Sequence, residues 1–261
     1  MHELPIGIFD SGFGGLSIFQ AVVTELPWES IVYFGDNANC PYGGKTFTEI
    51  KKLTLKGLTK LLKFNVKLIV VACNTATVAG MDYYRQKIKI PIVGVVPVVK
   101  TAVEQTKSNK IAVLSTPATA RSLYLKRLIK KFAGDKLVFN LAIDNLVWRI
   151  EKGEIDSPAI SKILRQSLES LPRKKVDIIA LGCTHFPFLR HVIEKIVGPK
   201  IKILDSGDAV ARQVRRILTQ NQALNLRPKP TYYFLTSGDK VKFKQIAEKL
   251  LRQKIVRVDK I

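Results

Sequence analysis

The chain has 261 residues, 46% of them hydrophobic and 25% charged, and 43 Lys+Arg against 21 Asp+Glu leave a formal charge of +22. These proportions exclude a disordered chain, and no apolar run reaches the roughly eighteen residues that a membrane-spanning helix needs. Cys40, Cys73 and Cys183 are far apart with no C-x-x-C pair, which argues against a disulfide framework.

The N-terminal MHELPIGIFD has neither a basic nor an apolar leader segment before its first strand, so a cytoplasmic protein with reduced thiols is expected. In chain order, strands are predicted at PIGIFD from Pro5, IVYFG from Ile31, KLIVVA from Lys67, PIVGVV from Pro91 and KIAVLS from Lys110. They continue at KLVFNLA from Lys136, VDIIALG from Val176, KIKIL from Lys200 and TYYFLTS from Thr231. Several are apolar on both faces, as buried parallel strands are. Helical spacing separates them: Leu16, Phe19, Val23 and Leu26, then Ile50, Leu53, Gly57, Leu58 and Leu61. Ser157 with Pro158 opens another helix, and Gly198-Pro199 closes the one that carries Leu189, Val192, Ile193 and Ile196. The alternation implies an α/β protein of two similar lobes, each a mostly parallel sheet flanked by helices, with the active site in the cleft between them. IFDSG at Ile8 is echoed by ILDSG at Ile203, and VVACNT by IALGCT. Crossings near Pro97 and Asp205 assign residues 1–97 plus 206–261 to lobe A and 98–205 to lobe B.

The basic residues are dispersed. Lys51, Lys52, Lys56, Lys60 and Lys63 fall on one predicted helix, and Lys126, Arg127, Lys130, Lys131, Arg173 to Lys175, Arg212, Arg215 and Arg216 on others. Solvated helix faces account for them, and no aromatic-interleaved basic stripe points to nucleic acid. No nucleic-acid or membrane partner is therefore expected, although the net charge keeps a DNA-associated protein as a rival of another class.

Polar residues gather at predicted strand ends, where α/β sheets bind ligands. Asp10, Ser11 and Gly12 follow IGIF; Asp36 follows IVYFG, with Pro41, Tyr42 and Gly43 in the loop beyond. Cys73, Asn74 and Thr75 follow IVVA, Thr116 and Thr119 follow IAVLS, and Cys183, Thr184 and His185 follow IALG. DSGFGG alone reads as a strand-to-helix turn capped by Asp10 or Ser11. A single free cysteine is commonly a small buried hydrophobe. Two in matching contexts, each at a strand-to-helix turn with amide, hydroxyl or imidazole donors next to it, instead suggest a working pair. Cys40, Cys73, Cys183 and His185 form a possible zinc set, but the wide spacings argue against it, and no metal is expected. A cysteine hydrolase using Cys183 and His185 leaves Cys73 without a role.

DSGFGG, YFGDNANCPYG, ACNTAT, LSTPATARS, LGCTHFPFL, LDSGDAVAR and FLTSGD, in this order over nearly the whole chain, resemble glutamate racemase, within the aspartate/glutamate racemase superfamily. The resemblance implies cofactor-independent interconversion of L- and D-glutamate, supplying D-glutamate for peptidoglycan, with an expected homodimer and no pyridoxal cofactor. It assigns proton transfer at Cα to Cys73 and Cys183, and substrate contacts to Asp10, Ser11, Tyr42, Gly43, Asn74, Thr75, Thr184 and His185. On residue type, Asn74, Thr75 and Thr184 suit the two carboxylates and Asp10 or Asp36 the ammonium group; Pro41, Thr116 and Thr119 are also expected among the substrate-binding residues. Asp10 is implied as a proton-managing neighbour of Cys73, and His185 with Glu151 as neighbours of Cys183. The segment around Glu151, DNLVWRIEKG, departs from the family's LVPLVE-like pattern, and GVVPVVKTA departs where many relatives have Glu-Pro or Leu-Pro followed by Gly-Ala. Aspartate racemase is the nearest alternative, and Cys40 is read as structural or incidental.

Overall fold

A strand apolar on both faces must be covered twice, and a helix after each strand both covers it and returns the chain to start a parallel neighbour. The computed structural model, which describes residues 2–261, follows that rule almost throughout. Its elements begin with β1 (Ile6–Asp10), α1 (Leu16–Glu25), β2 (Ile31–Gly35), α2 (Phe47–Leu62), β3 (Leu68–Val71), α3 (Asn74–Lys87) and β4 (Ile92–Gly94). Next come α4 (Val99–Gln105), β5 (Lys110–Ser115), α5 (Pro117–Arg121), α6 (Leu123–Phe132), β6 (Leu137–Ala142), α7 (Leu146–Ile150), α8 (Pro158–Leu168) and β7 (Ile178–Gly182). The last are α9 (Arg190–Val197), β8 (Lys202–Leu204), α10 (Gly207–Gln220), β9 (Tyr232–Thr236), α11 (Lys240–Leu251) and β10 (Val258–Lys260).

Two sheets result, ordered β10-β9-β2-β1-β3-β4 and β6-β5-β7-β8, and every neighbouring pair is parallel. In the first sheet the chain moves from β1 to β2 on one side and then to β3 on the other; in the second it does the same from β5 to β6 and then β7. Each sheet therefore has a switch point, where diverging loops leave a crevice at the carboxyl ends. Asp10 and Cys73 emerge at the first switch point, Thr116 and Cys183 at the second.

One apolar cluster runs through both sheets, including Ile6, Phe13, Leu16, Leu146, Ile179 and Phe186. Separate clusters fill the space between the first sheet and α2, around Phe9, Phe34 and Leu58, and beneath α4 and α6, around Val99, Val113 and Leu125. Where the chain passes between sheets, Ser206 Oγ donates to Val96 O at 2.6 Å, tying the crossing segments together. No helix among the described residues is long and apolar enough to cross a membrane.

Four local expectations need correction. Neither Asp10 nor Ser11 caps α1, whose N-cap is Gly15; Asp10 Oδ1 instead accepts from Gly12 N at 2.8 Å and closes a tight turn. Arg173 to Lys175 lie in a turn after α8, where Pro172 and a left-handed Lys175 stop a helix. Leu189 belongs to a 3-10 turn, Phe186–Leu189, because Pro187 in its first turn is compatible with a helix start and α9 begins only at Arg190. β10, three residues at the sheet edge and only partly covered, lacks the apolar run that marks the other strands. Ser157 does cap α8 from its side chain, accepting from Ile160 N at 3.3 Å.

Just before β3, the buried Lys67 ammonium lies 2.6 Å from Glu29 Oε2 and donates to the carbonyls of His2 and Ala223, both at 2.8 Å. Lys67→Met should cost about 3–5 kcal/mol in urea unfolding, because Glu29 is left charged and unpaired. Adding Glu29→Leu should recover much of that loss, and failure to recover any would show that the carbonyl contacts dominate.

Candidate active site

Strand register sets the site. β1 and β3 pair with Phe9 opposite Val71, so Ser11 and Cys73 leave the sheet side by side, with Ser11 Oγ 3.4 Å from Cys73 Sγ. β5 and β7 pair with Ser115 opposite Gly182, which brings Thr116 and Cys183 out together. Ser11, Tyr42, Gly43, Cys73, Asn74 and Thr75 from the first sheet face Thr116, Val147, Cys183, Thr184 and His185 from the second around one cavity. It holds about 10 Å³, close to the size of one water molecule. A wider cavity of about 300 Å³ adjoins it, shares Gly43, Thr116 and Val147, and is also lined by Pro41, Asp144 and Trp148.

The two thiols are not equivalent. Cys73 is the N-cap of α3, and its sulfur accepts from Ala76 N at 3.4 Å. That N-H and the Ser11 hydroxyl favour a thiolate, but burial, helped by the nearby Asp10 charge, outweighs them and pushes the thiol up to about 12. Cys183 heads no α-helix, contrary to the matched strand-to-helix reading; the 3-10 turn follows it, and His185 Nδ1 lies 3.8 Å from its sulfur. Imidazole thus stands beside Cys183 where backbone amide stands beside Cys73.

His185 Nε2 meets Glu151 Oε1 at 2.7 Å. Glu151 is also held by the first lobe, accepting from Phe13 N at 2.6 Å and Asn37 Nδ2 at 3.0 Å, while Asn37 Oδ1 accepts from Thr236 Oγ1 at 2.9 Å. Burial alone would strip His185 of its proton, yet hydrogen bonding to Cys183, Cys40 and Glu151 prevails and holds its pKa well above the usual histidine range. Asp10, fully buried, has its carboxyl pushed up by desolvation against the opposing charge of His185 and the Gly12 N-H. Its Oδ2 accepts from Thr184 Oγ1 at 3.3 Å, a second link between lobes.

The DSGFGG loop lies under these groups. A Cβ on Gly12 would stand 2.1 Å from Glu151 Oε1, and one on Gly14 would stand 2.4 Å from His185 Nδ1. Glycine is needed here because the opposite lobe presses on the backbone.

Thr75 Oγ1 lies 3.0 Å from Thr116 Oγ1 and 3.3 Å from Thr119 Oγ1, a hydroxyl cluster across the cleft. The buried Asn74 Nδ2 has no protein partner and lines the cavity, a donor free to meet a ligand. Asp36 is placed differently: it accepts from Tyr42 OH at 2.6 Å, Asn39 Nδ2 at 2.9 Å and Ser237 Oγ at 2.7 Å. It braces Tyr42 and does not line the cavity between the thiols. Asp10, Thr119 and Glu151 also stand behind the lining residues, and Pro41 faces the wider cavity.

The Asp/Glu/Hydantoin racemase family matches residues 6–214. A glutamate racemase from Herpetosiphon aurantiacus is 43% identical, over 95% of this chain and 98% of its own. The chain belongs to the Asp/Glu/Hydantoin racemase family. Among solved structures, a glutamate racemase isoform from Bacillus anthracis superposes with a TM-score of 0.91 at 32% identity, covering 100% of this chain and 98% of that one. The Francisella tularensis glutamate racemase, solved in complex with D-glutamate, gives 0.88 at 30% identity, with 100% and 98% covered. These racemases share the two-sheet architecture described above.

Sequence reasoning missed Asn37, Thr236 and the Phe13 amide, which fix Glu151. Their sole signal was position: Asn37 directly follows Asp36, and Thr236 is the penultimate residue of a predicted strand. The chain has only three histidines, so His185 can be followed by proton NMR. Glu151→Gln replaces a charged acceptor that favours imidazolium with a neutral amide, so His185 should lose its proton at lower pH than in the wild type. An unchanged titration would mean that Glu151 does not charge-stabilise the ring.

Proposed function

We propose that the protein interconverts L- and D-glutamate by two-base proton transfer between Cys73 and Cys183. The observation that carries this reading is a pair of buried thiols, one from each lobe, lining the same small cavity. Inverting Cα requires removal of its proton from one face and delivery of another to the opposite face. One thiolate takes the Cα proton, the planar carbanion forms, and the other thiol supplies the new C-H bond; the reverse direction exchanges the roles. Exclusion of water keeps the carbanion from being quenched at random and strengthens every fixed dipole around it.

The neighbours suit these steps. His185, held as imidazolium by its acceptors, offsets charge when Cys183 is a thiolate, and Glu151 keeps the ring oriented. Cys73 holds its proton tightly in the free protein, with Asp10 and Ser11 as its proton-managing neighbours. The unpartnered Asn74 amide, with Thr75, Thr116 and Thr184, supplies donors for the substrate carboxylates. Asp36 is engaged by three donors, so Asp10, bonded to the cavity residue Thr184, is the better carboxylate for the ammonium group. Glutamate is far larger than the inner cavity, so binding requires the lobes to part. The division into 1–97 plus 206–261 and 98–205 fits such a motion, with the tied crossing segments Val96 and Ser206 as its axis. D-Glutamate so formed serves peptidoglycan synthesis in this reading.

Proton NMR with each glutamate enantiomer in D2O, without added pyridoxal phosphate, tests the proposal: the Cα signal should disappear as the opposite enantiomer accumulates. Folded, reduced protein that exchanges neither enantiomer would refute it. Cys73→Ser and Cys183→Ser should each lower racemisation by about 10²- to 10⁴-fold, the usual contribution of a positioned acid or base. Turnover near the wild-type level in either variant would remove that thiol from the mechanism. Because raising a base's pKa shifts its deprotonated form to higher pH, kcat/KM for the direction using Cys73 as base should keep rising above neutrality and show no plateau near the ordinary thiol range.

A further inference from the structure

Cys40 has no part in the proton transfers above, yet it stands where two of the site's positioning groups converge. Its sulfur, a carboxylate oxygen of Glu151 and a ring nitrogen of His185 all lie within 4.8 Å of one another. From these positions we infer that Cys40, Glu151 and His185 form a binding site for a thiophilic divalent cation of the zinc class, and that its occupation arrests catalysis.

The donor set is one sulfur, one nitrogen and one oxygen, the mixture that borderline-soft zinc accepts and that magnesium or calcium does not. Tetrahedral bonds of about 2.0–2.3 Å place ligand atoms about 3.3–3.8 Å apart. His185 Nε2 and Glu151 Oε1, now 2.7 Å apart, need only spread slightly while Cys40 closes in. Gly12 keeps the gap open, since a Cβ there would stand 2.1 Å from Glu151 Oε1 and 2.8 Å from Cys40 Sγ.

The site also has its own entrance. Cys40 and Glu151 line a cavity of about 310 Å³ between Trp148 and Phe243, distinct from the one containing both catalytic thiols. An ion and its fourth ligand, a water molecule, can reach the trio from that side. Lys152 and Lys242 line the same cavity and oppose an entering cation, while the carboxylate of Asp239, also in its lining, offsets part of that charge. Binding releases the Cys40 thiol proton and the His185 ring proton to solvent, so the filled site of one doubly charged ion, one thiolate, one carboxylate and a neutral imidazole carries no net charge for those lysines to repel, and affinity should rise with pH.

The zinc set conceivable from sequence was Cys40, Cys73, Cys183 and His185. The structure separates it: Cys73 is across the substrate cavity, and Glu151 joins Cys40 and His185 instead. Metal at these three atoms would replace the His185–Glu151 hydrogen bond and block the ring from exchanging protons beside Cys183. It would also bind Cys40 of one lobe to Glu151 and His185 of the other, holding the cleft shut.

Equilibrium dialysis with Zn²⁺ and optical titration with Co²⁺ on the full, reduced chain test the site without reference to turnover. One ion per chain should bind, and Co²⁺ should give a thiolate charge-transfer band that Cys40→Ser abolishes and Cys73→Ser and Cys183→Ser retain. Affinity should fall about 10- to 100-fold or more in Cys40→Ser and Glu151→Gln, the scale seen when a metal's supporting ligands are lost. No stoichiometric binding, or a band that survives Cys40→Ser, would overturn the assignment. The inhibition arm rests on the proposed racemase activity: Zn²⁺ should slow the wild type, and Cys40→Ser should need a similarly larger dose. If metal-free protein proves inactive on glutamate, dialysis and the cobalt band still decide whether the site exists; if it is active and binds zinc at the trio without slowing, the claim of arrest fails.

Discussion

The carboxylate of Glu151 is the contact through which both lobes and the catalytic machinery are referred to one another. It belongs to the segment after α7, but two of its donors, Phe13 N and Asn37 Nδ2, come from the opposite lobe, and its third partner is His185. Fixing that carboxylate fixes the imidazole, and fixing the imidazole sets what Cys183 faces. The glycines of DSGFGG follow from the same approach, because the lobes meet too closely there for a side chain. A hydrogen bond to a charged group is worth roughly 1.5–3 kcal/mol, enough to hold one arrangement without forbidding motion.

Burial acts against that arrangement. Removing Asp10, Cys73 and His185 from water disfavours their charged forms, and each answers through a different neighbour. His185 has enough acceptors to remain cationic. Cys73 has one amide and one hydroxyl, too few to offset desolvation and the charge of Asp10. The result is two thiols in similar sequence contexts with different neighbours, an asymmetry that suits the proposed two-base transfer.

Most of the sheet strands were legible in sequence because the central ones, β1, β2, β3, β5 and β7, are buried on both faces and leave continuous apolar runs. β10 lacks such a run, being a short edge strand with alternating charge, and so it passed unseen. The strand-end rule collected the cavity lining from Ser11 to His185 except Val147, which the short helix α7 supplies. It did not separate lining residues from those behind them: Asp36 ends a strand as Asp10 does, yet it braces Tyr42. The partners of Glu151 were hidden for another reason. Asn37 and Thr236 are joined to it by contacts between segments more than a hundred positions apart, and neither local periodicity nor spacing carries that information. Glu151 itself came from family resemblance, despite the altered residues around it.

The apolar cluster shared by both sheets has a consequence for how selective such a protein can be. Phe13, Leu146 and Phe186 belong to one continuous core, so a wide separation of the lobes would wet it, at roughly 25 cal/mol for each Å² of apolar surface exposed. Small rotations that keep that interior dry are the motions available at low energy. Under the proposed opening, such rotations would give a narrow aperture and sort molecules by girth on the way in, before any donor or acceptor in the cavity tested their chemistry.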